Sequence, residues 1–250
     1  MKEAAEQAEV VAETAAPAAP AQLALTQVGQ ILALQRSVGN RAVAQLLARA
    51  DTTTVKKHVR EETTGAENVN WDASFDVSFD EDASTPTLWL TINVKLNPDG
   101  GVTEDDIKHF RSKVRSRFSL MWDSKFIFHE SRTWPWSDRD WLVRPEVKFV
   151  DSGQHLTVTL HKGKGADNRQ NWYIDSPDYT QVHEVSHQMG LLDEYADVSV
   201  PSRKVYDDHS IMGDYYKEGM TEATAKPRHG ERLAAIIGPA VDKNLKSRLR

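Results

Sequence analysis

Val182-His-Glu-Val-Ser-His-Gln-Met-Gly190, followed by Leu191-Leu192-Asp193, is the stretch on which the reading of this chain turns. Residues four apart share a helix face, so His183 and His187 can offer two imidazole nitrogens to one metal ion while Glu184 stands beside them. Zinc holds such nitrogens at about 2.0–2.1 Å and in catalytic sites leaves one position for water. A neighbouring carboxylate can take that water's proton and later deliver it to a leaving group, which makes Glu184 the expected general base and acid. Gly190 comes three residues after His187, and glycine readily ends helices at positive φ, so the chain can turn there and return Asp193 toward the metal. Asp193 is the expected third ligand. Glu194 and His209 are the alternatives, one its neighbour and the other an imidazole further along the chain.

Composition frames this site. The 250 residues carry a formal net charge of −6, 39% hydrophobic residues and no cysteine, which excludes disulfides and thiolate chemistry and gives no nucleic-acid signature. No stretch approaches the 18 apolar residues of a membrane span. Met1-Lys-Glu-Ala-Ala-Glu-Gln-Ala-Glu9 is too acidic and too interrupted for a secretory signal, so the chain is expected to stay in the cytosol or to leave by machinery that reads something else.

Four segments follow from the patterning. Residues 1–21 are Ala/Glu-rich and then Ala/Pro-rich, which reads as a disordered low-complexity tail. Residues 22–50 carry a helical period from Leu25 through Val28 and Leu32, a stop at Gly39 and a second apolar set at Val43, Leu46 and Leu47, which predicts a helical hairpin. Residues 51–68, with the run Thr52 to Thr54 and a mixed-charge stretch, read as linker. The body is expected over 69–250. Leu88, Leu90, Ile92, Val94 and Leu96 alternate with polar residues and Trp89, predicting a strand with one buried face that ends in the Asn97-Pro-Asp-Gly-Gly101 turn. Thr103 and Asp106 form a capping-box pair ahead of Ile107, Phe110, Val114, Phe118 and Met121 at helical spacing. Further strands are predicted at 125–129, 143–150, 155–161 and 172–174. Ser176 and Pro177 suit the N-cap and first turn of the histidine-bearing helix, on which Val182, Val185 and Met189 form the stripe that packs inward.

The order H-E-x-x-H-x-x-G-x-x-D, with Ser210-Ile-Met-Gly213 some twenty residues later, resembles the metzincin clan of zinc metalloproteases in the variant whose third ligand is aspartate. The resemblance implies an α+β catalytic domain: a twisted mixed sheet, a long backing helix, an active-site helix and a Met-turn around Met212 beneath a Zn2+ site. It implies hydrolysis of a protein or peptide substrate, with an edge strand near the metal, 155–161 or the segment before Trp172, pairing with extended substrate. Tyr215 and Tyr216 follow Met212 at three and four residues, where some metzincins carry, two residues on, a tyrosine that contacts the metal or the substrate oxyanion.

A second resemblance lies upstream. Leu34-Gln-Arg-Ser-Val-Gly-Asn-Arg-Ala-Val-Ala-Gln-Leu-Leu47 is similar to a segment, L-Q-R-x-x-G-N-x-A-V-x-x-L-L, of bacterial proteins associated with extracellular contractile injection systems. It implies a toxin or effector cargo carried by such a particle into a target cell, which is an export route without a signal peptide. Two other functions fit the same sequence. One is a zinc amidase acting on cell-wall peptide. The other is a particle-associated adaptor whose metal is a structural staple, with a fourth protein ligand such as His209 or Glu194. Trp122, Trp134, Trp136 and Trp141 crowd one stretch and are expected in core packing and loop anchoring, with a substrate pocket as the alternative.

Overall fold

The computed structural model of the chain describes residues 52–64, 69–133, 136–213 and 223–250. The tail over 1–21, the hairpin over 22–50 and its Leu34–Leu47 segment lie outside the described residues, as do Trp134, Tyr215 and Tyr216. Contacts divide the chain into Met1–Leu46 and Leu47–Arg250, and every described residue belongs to the second unit.

That unit has an α+β fold built on a curled mixed sheet with flanking helices. Its strands are β1 (Thr53–Glu61), β2 (Val69–Asp80), β3 (Thr87–Pro98), β4 (Phe126–Glu130), β5 (Arg139–Phe149), β6 (Leu156–His161), β7 (Asn171–Tyr173) and β8 (Leu245–Leu249). The main path runs β1-β2-β3-β5-β4-β8, and β6 joins β3 on one side and β7 on the other. β3 is the spine. It runs parallel to β5 and β6 and antiparallel to β2, and its Leu88, Leu90, Ile92 and Val94 are fully buried, as period-two alternation predicts.

Among the described residues three α-helices accompany the sheet: α1 (Glu104–Trp122), α2 (Asp178–Ser186) and α3 (Pro227–Ala240). The capping box forms at α1, with Asp106 N–H donating to Thr103 Oγ1 and Thr103 N–H to Asp106 Oδ2. The predicted apolar face of α1, from Ile107 to Met121, is buried. α1 positions α2 directly: Trp122 Nε1 donates to Ser186 Oγ at 3.0 Å, Arg117 pairs with Asp178 at 3.2 Å, and Lys113 Nζ donates to the carbonyls of Ile174 and Ser176.

Three expectations need correction. The linker stretch contains β1, which pairs with β2 over its whole length. Only Val55, Val59 and Glu61 of β1 are buried, and its exposed lysines and arginine are what edge strands use against unwanted pairing, so the polarity that suggested a linker belongs to a sheet edge. The N-cap of α2 is Pro177 without a side-chain cap, while Ser176 Oγ donates to the Gly165 carbonyl and anchors the preceding loop. α2 also ends before the second histidine: His187–Met189 form a 3₁₀ turn closed by Gly190 at φ 79°. Of the tryptophans, Trp122 and Trp141 are core residues, and Trp136 is 70% exposed.

Candidate metal centre

Three side chains converge where α2 runs into its 3₁₀ turn. His183, His187 and Asp193 each offer one ligand atom, all within 4.8 Å of one another. Asp193 Oδ1 lies 2.9 Å from His183 Nε2 and 3.3 Å from His187 Nε2. The histidine rings stand at 90° with centroids 4.8 Å apart, so both Nε2 edges point toward the carboxylate.

Each imidazole is oriented through its other nitrogen. His183 Nδ1 donates to the Ile211 carbonyl at 3.1 Å, and His187 Nδ1 donates to the Leu191 carbonyl at 2.9 Å. A carbonyl oxygen only accepts, so Nδ1 carries the proton in both rings, and in the neutral tautomer Nε2 presents a lone pair. Two imidazole lone pairs then face a buried carboxylate oxygen, and Asp193 Oδ1 has no hydrogen-bond donor. Acceptors packed at hydrogen-bond distance call for a cation among them, either a proton on one Nε2 or a metal ion, and two imidazoles with one carboxylate suit a divalent metal such as zinc. The residues therefore form a cluster able to coordinate a metal ion.

The chain turn that delivers Asp193 rests on Gly190. Its positive φ is left-handed, and a Cβ there would lie 2.8 Å from Ile236 Cδ1, so backbone conformation and packing both call for glycine. Asp193 is further tied by Arg203, whose Nη2 lies 3.3 Å from Asp193 Oδ2 and whose guanidinium pairs with Glu61 Oε1 and Oε2 at 2.9 Å each. Arg203 occupies Oδ2 and leaves Oδ1 to the histidines. Burial works to raise the Asp193 carboxyl, but when a proton on Nε2 is the cation between them the imidazoles donate to Asp193, and these hydrogen bonds and their charge hold the group well below the usual carboxylate range.

Glu184 is half-buried on the next position of α2. Burial pushes its pKa up to about 7, against the opposing charges of His183 and Arg169 and with the help of Asp193.

The alternative ligands point elsewhere. The Glu194 carboxylate faces Arg228, at 2.6 and 2.7 Å, together with Ser210 Oγ and His229 Nε2, and this buried network holds its pKa down to about 2 despite desolvation. His209 is exposed at φ 54° and lies outside the three-residue cluster. The turn at Ser210–Gly213 is closed by Gly213 N–H on the Ser210 carbonyl, with Met212 fully buried and its carbonyl accepting from Glu194 N–H at 2.7 Å. Neither proposed edge segment is a simple edge, because Thr159–His161 pairs with Asn171–Tyr173 and leaves only the start of β6 open on that side.

Several residues at the site carried no signal in the sequence. Trp71 on β2 donates Nε1–H to the His187 carbonyl at 3.0 Å and sets its ring edge-on to the His187 imidazole at 5.3 Å. Arg203 reaches Glu61 across 142 positions, a pairing no local pattern reveals. No family model, no curated protein and no solved structure matches this chain.

Proposed function

We propose that the protein is a zinc-dependent endopeptidase of metzincin-like design. One observation supports this above all: two imidazoles with their Nδ1 protons committed to backbone carbonyls turn Nε2 onto Asp193 Oδ1, with Glu184 next in the chain. His183, His187 and Asp193 would hold the ion, and Met212 is the residue we assign to the Met-turn. A zinc ion held there supplies Lewis acidity toward water and toward a peptide carbonyl. Glu184 takes a proton from the attacking water and returns it to the leaving nitrogen. Trp71 and the carbonyls of Ile211 and Leu191 keep the imidazoles in place, and Arg203 keeps Asp193 from swinging away. The Leu34–Leu47 resemblance carries the further proposal that the protein is an effector loaded into a contractile injection particle.

A staple reading needs a fourth protein ligand, and the residues considered for that part, Glu194 and His209, stand outside the cluster. The decisive test is Glu184→Gln. The variant retains one zinc per chain by elemental analysis and loses hydrolysis of a denatured protein substrate. Undiminished cleavage removes Glu184 from the chemistry, and wild-type protein that takes up no stoichiometric metal overturns the reading as a whole. Cleavage of purified peptidoglycan in place of protein would assign the amidase activity.

A further inference from the structure

Beside the metal cluster the sheet forks. β2 pairs with β3 only over Asp76–Asp80, and β6 takes up β3 from Val94 to Pro98. At the fork, Asp76 accepts from Asn93 Nδ2 at 3.2 Å and pairs with His155 Nε2 at 3.2 Å. Between the first half of β2 and the start of β6 lies a cavity of about 530 Å³, with Trp71, His155, Thr157, Arg169 and Gln188 among its walls. It adjoins the metal site, because Trp71 touches His187 and Gln188 is the next residue in the 3₁₀ turn.

Two polar groups lining this cavity lack hydrogen-bond partners among the described residues. The Arg169 guanidinium lies over the Trp71 ring at 4.6 Å, and among the described residues none of its N–H groups finds an acceptor. A cation over an aromatic face is held in place, but its five donors still point outward. Of the nearby carboxylates, Asp167 accepts from Thr180, Gln181 and the Tyr173 N–H, Asp72 pairs with His58 at 2.8 Å, and Glu184 feels the Arg169 charge without a hydrogen bond to it. Gln188 is only 4% exposed, and its Oε1 has no hydrogen-bond donor among the described residues. A buried acceptor left so costs free energy that a ligand N–H would restore.

We infer that this cavity is the substrate subsite flanking the scissile bond, and that Arg169 selects substrates presenting a carboxylate there while Gln188 Oε1 receives a backbone N–H. The inference rests on the endopeptidase reading and adds the substrate class: peptides with an acidic side chain, or a chain-terminal carboxylate, beside the bond that is cut. A planar guanidinium pre-positioned on Trp71 matches a carboxylate in two parallel hydrogen bonds, which a neutral amide in the same place cannot equal.

The test uses full-length zinc-loaded protein and blocked, internally quenched decapeptides that differ only by Glu, Gln or Lys at each position around the cleavage point. A second pair ends near that point in a free carboxylate or an amide, and so separates the two sources of the charge. Wild-type kcat/KM is expected to favour Glu over Gln by about tenfold or more at one position. Arg169→Gln erases that ratio, and Arg169→Glu inverts it toward Lys. The same peptides are titrated against zinc-loaded Glu184→Gln protein by fluorescence anisotropy. Cleavage without an acidic preference, or a preference that survives Arg169→Gln, overturns the subsite and leaves the peptidase reading standing. Acidic-selective, Arg169-dependent binding with no cleavage by wild type supports the subsite and overturns the peptidase. Absence of both cleavage and binding overturns both.

Discussion

Arg203 is the residue on which the structure makes its sharpest energetic claim. Its side chain is 4% exposed and that of Glu61 5%, and the two meet in a bidentate pair that also reaches Asp193. Removing one member of a buried ion pair leaves the other charged in a low-dielectric setting, which costs about 3–5 kcal/mol. Arg203→Met therefore lowers the melting temperature of a folded unit of this size by roughly 10 °C. Glu61→Leu/Arg203→Met removes the stranded charge as well and recovers most of that loss, since an apolar pair of similar volume is often as stable as the ion pair it replaces. Zinc affinity behaves differently. In both variants Asp193 Oδ2 loses its tether, and zinc binding, measured by competition with a chelating dye, weakens by about 10- to 100-fold. Stability that recovers while affinity does not is the signature of a residue that orients a ligand. Single and double variants with equal melting temperatures, or unchanged zinc affinity in the double variant, would refute this account of Arg203.

Other outcomes follow from the same geometry. Asp193→Ala sharply lowers zinc occupancy, whereas Glu194→Gln destabilises the fold yet leaves one zinc per chain, because Glu194 serves Arg228, His229 and Ser210; elemental analysis distinguishes the two. Gly190→Ala forces a side chain into left-handed backbone against Ile236, costing at least about 1–2 kcal/mol in denaturant melts and weakening zinc binding as Asp193 is displaced. Far from the site, burial works to raise the Glu130 carboxyl, but Arg132, Lys243 and Trp141 at 2.8–2.9 Å prevail and hold it at about 2. Its folded pKa is depressed below the ordinary 4.5, so its contribution of about 3 kcal/mol is complete above that value and is lost as pH falls toward 2. Glu130→Gln should flatten the acid limb of an unfolding-versus-pH curve, and an unchanged limb would count against the assignment.

The parts of the fold legible in the sequence are those where local pattern and burial agree. β3 alternates apolar and mostly polar residues because one face meets the core, and α1 announces itself through Thr103, Asp106 and its apolar spacing. β1 failed to announce itself for the opposite reason. As an edge strand it buries only Val55, Val59 and Glu61, and its remaining charges are indistinguishable from those of a linker until β2 is seen beside it. Buried charge is likewise invisible locally. Glu61, Asp80, Glu130 and Glu194 are each nearly inaccessible, and for Glu61, Glu130 and Glu194 partners drawn from distant segments make this affordable. The three side chains able to coordinate a metal were legible because they sit within eleven residues, whereas Trp71 and Arg203, which fix their orientation, come from β2 and a distant loop.

That division has a physical consequence for how the site assembles. His183 is oriented by the Ile211 carbonyl, His187 by the Leu191 carbonyl, and Asp193 by Arg203, so the three side chains of the cluster are held by backbone and side chains of the loops that follow α2. Among the described residues, positions 191–213 and 223–226 have little regular structure, and their order depends on turns and on the Glu194–Arg228 network. A divalent ion binding the three side chains would neutralise converging acceptors and close the loop from Gly190 to Asp193 in one step, coupling loop order to metal occupancy. The loops are therefore expected to exchange amide hydrogens faster than α1 and β3 in metal-free protein and to slow selectively on adding zinc. Uniform protection that zinc leaves unchanged would mean the centre is rigidly preformed, with Arg203 and the two carbonyls sufficient to hold it against the mutual repulsion of its own acceptors.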